Sequence, residues 1–255
     1  MIAGVRLLAL HGFLGRPSDW DGLAASFPEA AVTAIDLWAM LDRPEVQDWA
    51  SMSRAIDVAL VNALGADHNR PAFVVAYSFG ARLALSSAWL SARGRALRGA
   101  CLVSCHPGFA DDDATARHAR RESDETWARR ILTRPESEIW SAWDSQPVLS
   151  GPGQAPPRDA LPASRETLAR ALTGFSLARQ PDFRPRLRAW GGPLLWVTGA
   201  RDAKFEAIAR DLAADGVPAT FATCEEAGHR VPWDNPSAFA EVLRAWMTTV
   251  METAP

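Results

Sequence analysis

A serine, an aspartate and a histidine, far apart in the chain, sit where their side chains could do chemistry together. Ser78 lies in Ala76-Tyr77-Ser78-Phe79-Gly80, with small residues two before and two after it. Ahead of it, Phe73, Val74 and Val75 form the apolar run of a strand buried on both faces. Behind it, Ala81, Leu83, Ala84 and Leu85 are good helix formers at helical spacing. A strand that turns directly into a helix forces the corner residue into a strained backbone and needs small neighbours where the two elements approach. The hydroxyl is then held above the sheet at a helix N-terminus, beside backbone N–H groups able to receive an oxyanion. Such a pattern also arises by chance as an ordinary turn, so its weight comes from its partners. Asp202 follows the apolar run Leu194-Leu195-Trp196-Val197, and His229 follows Ala219 to Cys224. Serine is a poor nucleophile or base at neutral pH until an imidazole takes its proton. A carboxylate then fixes the imidazole tautomer and stabilises the imidazolium.

The remaining candidates gather around this trio. His11-Gly12-Phe13-Leu14-Gly15 follows the first apolar run, and glycine there allows a loop to bring backbone N–H groups against a ligand. With Ser78 as the centre, the backbone N–H groups of Phe13 and Phe79 are the expected oxyanion donors. Asp36, another carboxylate at a strand end, rivals Asp202, although chain order favours Asp202. His11 reads as a support for its loop, His68 lies in a polar loop and His118 sits among arginines. None of them forms a metal-ligand spacing, so no metal is expected. Arg82, four residues after Ser78, opposes the dipole of its own helix by a few tenths to about 1 kcal/mol, a cost an anionic ligand or carboxylate would offset. Arg117, Arg120 and Arg121 lie at helical i, i+3, i+4 spacing; pairs such as Asp113–Arg117 and Arg120–Asp124 allow a plain salt-bridged surface helix instead.

The elements that must position these residues follow from the pattern of the whole chain. Strand-like runs at Val5–Leu10, Ala31–Leu37, Ala72–Tyr77, Ala100–Cys105, Pro193–Gly199 and Ala219–Cys224 alternate with helical stretches. The helical stretches are Asp19–Phe27 with Ser18 as cap, Pro44–Leu64, the segment after Ser78, Lys204–Asp215 and Ser237–Val250. This alternation predicts an α/β fold, a mostly parallel sheet with helices on both faces, binding ligands beyond the carboxyl ends of its strands. Between Pro107 and about Pro185 strand runs vanish and charge density rises. That stretch reads as a helical cap inserted into the core, so that residues 1–106 and 186–255 form the core and 107–185 the cap. With 255 residues and 48% hydrophobic content the chain can bury one substantial domain. A formal net charge of −3 gives no basis for nucleic-acid or membrane-surface binding, and no run reaches membrane-spanning length. Three cysteines inside apolar runs and an N-terminus that leads straight into a strand, unlike a cleavable signal, predict a cytoplasmic protein. Oligomeric state is not encoded in any feature of the sequence.

The order serine, aspartate, histidine is also that of α/β-hydrolase triads. Beyond the triad, Leu10-His11-Gly12-Phe13-Leu14-Gly15, Tyr77-Ser78-Phe79-Gly80-Ala81-Arg82 and His106-Pro107-Gly108-Phe109 resemble the menaquinone-pathway succinyl-hydroxycyclohexadiene-carboxylate synthases, which are α/β-hydrolase-fold lyases. So do Arg117-x-x-Arg120, Ser123-Asp124-x-x-Trp127, Gln180-Pro181-Asp182, Gly199-x-x-Asp202-x-Lys204-Phe205 and Ala227-Gly228-His229. The resemblance implies the α/β-hydrolase fold and elimination of pyruvate from a polycarboxylated cyclohexene without a metal or organic cofactor. Ser78, activated by His229 and Asp202, would act as the base. It also implies that Arg82, Arg120 and Arg165 hold substrate carboxylates and that Tyr77 and Trp143 line the pocket. The chain departs from the family at Asp36-Leu37-Trp38-Ala39-Met40, at Arg230-Val231-Pro232-Trp233, and at Ala76 and Ala81, where glycine is common. A small-molecule ester or thioester hydrolase using Ser78 as nucleophile is the alternative enzyme, and a non-catalytic binding protein on the same scaffold a third reading. Arginines turned into the pocket favour the lyase; an apolar pocket favours the esterase.

Overall fold

The computed structural model describes residues 4–65, 70–88, 90, 96–149, 156 and 158–253; His68 lies outside them. The apolar runs form strands β1 (Arg6–Leu10), β2 (Ala31–Ile35), β3 (Ala72–Tyr77), β4 (Leu97–Val103), β5 (Leu194–Gly199) and β6 (Thr220–Cys224). Among the described residues they make one sheet of order β2-β1-β3-β4-β5-β6, with every neighbouring pair parallel. The helices are α1 (Asp21–Ser26), α2 (Leu37–Leu41), α3 (Trp49–Leu64), α4 (Phe79–Ser86), α5 (Ala114–Thr133), α6 (Glu136–Asp144), α7 (Arg165–Gly174), α8 (Arg184–Arg188), α9 (Ala203–Ala214), α10 (Val231–Asp234) and α11 (Pro236–Thr253).

Because side chains alternate along a strand, the sheet supplies two cores. Leu8, Leu10, Val74, Leu102 and Trp196 pack on one face with Met52, Ile56 and Leu60 of α3 and with α4 and α9. Leu7, Phe73, Val75, Val103 and Val197 pack on the other with Leu23 of α1 and with Phe239, Leu243 and Trp246 of α11. Burying each such side chain is worth about 1.5–3 kcal/mol, so both faces are anchored and the strand ends are held rigidly. The chain leaves β1 for β2 on one side and returns past it to β3 on the other. The strand order therefore reverses between β1 and β3, and a crevice opens at their carboxyl ends. His11 to Phe13 and Ser78 lie at those ends.

Some boundaries differ from the sequence reading, each for a local hydrogen-bonding reason. β2 stops at Ile35 because the Asp36 carboxylate caps α2, accepting from the backbone N–H groups of Trp38 at 2.9 Å and Ala39 at 3.2 Å. That duty removes Asp36 as a rival to Asp202. α3 starts at Trp49, five residues after Pro44, because Asp48 is extended and accepts from the Ser51 N–H at 2.8 Å. The expected Asp19–Phe27 helix divides into a 3₁₀ turn, Pro17–Trp20, and α1. Ser18 lies inside that turn and is not its cap. Between β4 and β5 the chain holds α5 to α8. Ala128 and Ile131 of α5, Ile139 of α6 and Leu168 and Leu172 of α7 share one apolar cluster.

His11 shows how tightly the first loop is fixed. Its ring is buried; Nδ1–H donates to the Gly12 carbonyl at 2.9 Å and Nε2 accepts from the Leu37 N–H at 3.2 Å. Burial pushes its pKa down to about 4. Between that value and the ordinary one near 6.5 the unfolded chain binds the proton and the native chain does not, so stability falls as the pH is lowered through this window. The expected loss from His11 by pH 4 is about 3 kcal/mol. Urea unfolding across the window, with His11→Asn as the non-titrating reference, measures it.

Candidate active site

The backbone at Ser78 has φ 50° and ψ −108°, a left-handed conformation that costs a non-glycine residue about 1–3 kcal/mol. The cost is met by the surroundings: Ser78 N–H donates to the Val103 carbonyl at 2.9 Å, and α4 starts at the next residue. A Cβ on Gly80 would lie 2.4 Å from the His11 carbonyl oxygen, so only glycine lets α4 come this close to the end of β1. At Gly199 a Cβ would lie 2.2 Å from the Gly228 carbonyl oxygen, and its absence lets the histidine loop close over the end of β5.

These turns bring three distant side chains together. Ser78 Oγ lies 3.0 Å from His229 Nε2, and His229 Nδ1 lies 2.7 Å from Asp202 Oδ2. An ionised carboxylate can only accept, so Nδ1 carries the ring proton and Nε2 is left to accept from the serine hydroxyl. Asp202 is held in turn by capping α9, its Oδ1 accepting from the Phe205 N–H at 3.4 Å. Ser104 Oγ–H donates to the His229 carbonyl at 2.8 Å, and Phe205 packs on the imidazole with ring centroids 4.5 Å apart.

Ser78 and His229 open into a cavity of about 140 Å³ whose walls include Phe13, Phe79, Arg82, Arg120, Trp143 and Lys204. Arg82 is buried; its Nε–H donates to Gln180 Oε1 at 2.6 Å and Nη2 donates to the Phe175 carbonyl at 2.7 Å. Burial, with Arg120 next in effect, lowers its pKa to about 9, which leaves it charged at neutral pH. Arg120 Nε–H is shared between both oxygens of buried Asp124 at 2.9 Å, so the i, i+4 pair forms, but it sits at the cavity wall. The Nη groups of Arg120 and the Lys204 ammonium have no hydrogen-bond partner among the described residues. Lys204 Nζ lies 5.6 Å from the centre of the Phe205 ring. Burial and the neighbouring Arg120 both pull the Lys204 pKa down. Among the described residues of its lining, Arg82, Arg120 and Lys204 face one carboxylate, Asp124, so these residues give the cavity an excess of positive charge.

Trp143 packs on Phe13 at 5.0 Å and on Trp127 at 4.9 Å, closing the cavity over the serine. Tyr77 packs on Trp233 at 4.8 Å and lines a smaller cavity that shares Phe13, Ser78 and Trp143 with the first. Arg165 is elsewhere. Its guanidinium donates to the carbonyls of Ile131 and Arg134 at the C-terminal end of α5, where a cation complements the helix dipole. It ties the start of α7 to the end of α5 and is not among the cavity residues. Arg117 is a brace too, donating to the carbonyls of Phe109, Ala110, Ala178 and Gln180. Side chains that the sequence reading did not place at the site are Lys204, Gln180 and His106, although each lies in a quoted motif, together with Arg158 and Arg230. The last two both bind Asp144 and line the smaller cavity. Among the described residues no group of three or more His, Cys, Asp or Glu could hold a metal ion, and no helix is long and apolar enough to cross a membrane.

Comparison with known proteins places this geometry in context. The alpha/beta hydrolase family model matches residues 7–242. The 2-succinyl-6-hydroxy-2,4-cyclohexadiene-1-carboxylate synthase of Klebsiella pneumoniae is 35% identical over 244 residues, covering 93% of this chain and 91% of that one. The synthase of the same name from Enterobacter sp. is 35% identical over 248 residues, covering 93% and 89%. Among solved structures, MenH from S. aureus superposes with a TM-score of 0.82 at 20% identity, covering 98% of this chain and 96% of that one. A thermophilic esterase from Thermogutta terrifontis does so with a TM-score of 0.66 at 21% identity, covering 97% and 91%.

Proposed function

The chain belongs to the alpha/beta hydrolase family and, within it, to the 2-succinyl-6-hydroxy-2,4-cyclohexadiene-1-carboxylate synthases, and from this we propose that it eliminates pyruvate from a polycarboxylated cyclohexene in menaquinone biosynthesis. The observation that carries the reading is the cation-rich cavity joined to the serine–histidine pair. An apolar ester needs no such charge, whereas a substrate with several carboxylates neutralises it and is oriented by it. Arg82 and Arg120 hold carboxylates, Lys204 adds a third cation, and Trp143 covers the ring. Tyr77 supports the His229 loop from the smaller cavity.

The chemistry follows from the geometry. His229 Nε2 takes the serine proton, and Ser78 Oγ removes the ring proton made acidic by the adjacent succinyl carbonyl. The freed electron pair forms a new ring double bond through the conjugated system, and the carbon–oxygen bond to the three-carbon substituent breaks. Pyruvate leaves as its enolate and is then protonated, with no net oxidation or reduction. The backbone N–H groups of Phe13 and Phe79 stabilise charge that develops on the carbonyl oxygen. Asp202 keeps the imidazole in the tautomer that accepts. Residues 107–185 act as a cap over the core, and a cytoplasmic location fits three buried free cysteines.

Incubating the purified protein with the pathway substrate and, separately, with a simple aryl ester tests this. Pyruvate release with ester turnover near background is expected. Efficient ester cleavage without pyruvate release would assign Ser78 as an acyl-forming nucleophile and overturn the lyase reading.

A further inference from the structure

We propose that His106 is a substrate-binding residue whose uncharged Nε2–H donates a hydrogen bond to a substrate carboxylate oxygen in the cationic half of the cavity. The proposal deepens the anionic-substrate reading and rests on it. His106 follows β4 and lines the same cavity as Ser78, Arg82, Arg120 and Lys204, with only 7% of its surface exposed. Its Nδ1 accepts from the backbone N–H of Gly108 at 3.1 Å. A backbone N–H can only donate, so the proton of the neutral ring sits on Nε2. Among the described residues Nε2 has no partner.

The arrangement is fixed on every side. Gly108 has φ 111°, and a Cβ there would lie 2.4 Å from the Pro181 carbonyl oxygen, so the backbone that donates to Nδ1 is clamped. Phe109 and Phe205 meet the imidazole edge-on, with centroids 5.1 and 6.4 Å away. The His106 carbonyl accepts from Gln180 Nε2 at 2.9 Å, while Gln180 Oε1 accepts from Arg82 Nε at 2.6 Å. One glutamine therefore sets both the His106 loop and the Arg82 guanidinium. Burial, then Lys204, Arg82, Arg184 and Arg120, push the His106 pKa down to about 2, so the ring stays neutral wherever the enzyme works.

Such a donor does what another cation cannot. A carboxylate has about four lone-pair sites, and a guanidinium does not fill all of them. A neutral N–H fills one more and fixes direction without adding charge to a cavity that already has an excess.

Two isosteric variants separate the donor from the loop brace. In His106→Asn the amide oxygen can replace Nδ1 as acceptor for Gly108, but the donor into the cavity is lost. KM for the pathway substrate is expected to rise about tenfold with kcat within about threefold. In His106→Gln an amide N–H replaces Nε2–H, and KM is expected to stay within about threefold of the unmodified enzyme, at some loss of thermal stability. Equal KM values for His106→Asn and the unmodified enzyme would overturn the proposal. A second arm needs no turnover. In 15N-labelled protein the ring is expected to be Nε2-protonated and neutral between about pH 5 and pH 9, with the Nε2–H resonance shifting on addition of succinate. A ring that titrates in that window, that carries its proton on Nδ1 or that ignores succinate would refute it. Failure of the unmodified enzyme to release pyruvate counts against the lyase reading alone, because the spectroscopic arm still decides His106.

Discussion

Ser78→Ala is expected to lower kcat for pyruvate release about a thousandfold or more while leaving KM within a few-fold. A positioned acid–base group contributes roughly 10²–10⁴ to a rate, and in the proposed mechanism the serine oxygen is also the atom that reaches the substrate, so the upper part of that range applies. His229 Nε2 lies 3.0 Å behind Ser78 Oγ, one hydrogen bond further from the substrate, and cannot take over without moving. The groups proposed to bind the substrate lie on other side chains: Arg82 on α4, Arg120 on α5 and Lys204 on α9. Ground-state affinity should therefore survive. Among the described residues the Ser78 side chain has one hydrogen bond, to His229, and alanine meets the same backbone strain that serine does, so the fold should survive as well. Steady-state kinetics with circular dichroism on the same preparation decide the matter. Retention of more than about a tenth of kcat would remove Ser78 from the role of base and leave His229 acting directly on the ring.

Why the triad could be read from sequence and much of its setting could not has a physical explanation. Ser78 and Asp202 each follow a buried apolar strand and His229 follows the edge strand β6, and a parallel sheet of this kind must deliver its strand ends to one side. Type, order and position therefore converge without coordinates. The small residues at Gly80 and Gly199 are visible for a related reason: backbone passes so close that a single Cβ would collide with a carbonyl oxygen. Arg165 enters through the resemblance alone, and no spacing in the sequence tells which carbonyls its guanidinium meets. Its guanidinium is captured by the end of α5, thirty-odd residues earlier in the chain. The same limit hid Gln180 and His106, whose importance lies in a three-way contact with Arg82 that no spacing rule encodes. Lys204 stands two residues beyond Asp202, the carboxylate that meets His229. Only the first turn of α9 shows that it reaches the cavity. Asp36 could have gone either way, since a strand-end aspartate can serve a histidine or cap a helix. Two backbone N–H groups of α2 decide it.

Arg82→Met is the second large effect expected, and it separates binding charge from structural charge. Arg82 is buried beside Arg120, a position that costs stability through desolvation and like-charge repulsion. A methionine of similar length removes both costs, while leaving Gln180 Oε1 and the Phe175 carbonyl without their donor, at about 1–3 kcal/mol for each if water cannot reach it. Buried charges replaced by apolar groups of similar volume are often neutral or better, so the net change in unfolding free energy should stay within about 2 kcal/mol. Activity should not be spared in the same way. A bidentate guanidinium–carboxylate contact inside a low-dielectric cavity is among the strongest single contacts available, and on the proposed function its loss should raise KM about a hundredfold, with a further drop in kcat as the ring loses its alignment with Ser78 Oγ. Arg165→Met provides the contrast: it should leave KM nearly unchanged and weaken the packing of α7 against α5, because that guanidinium serves helix carbonyls and lies outside the cavity. Pyruvate-release kinetics and urea unfolding on the two variants together test the charge argument. If Arg82→Met keeps a normal KM while Arg165→Met loses it, substrate carboxylates are read by the segment between β4 and β5 and not by the helix that begins at the serine. The excess charge beside Ser78 would then need a different occupant.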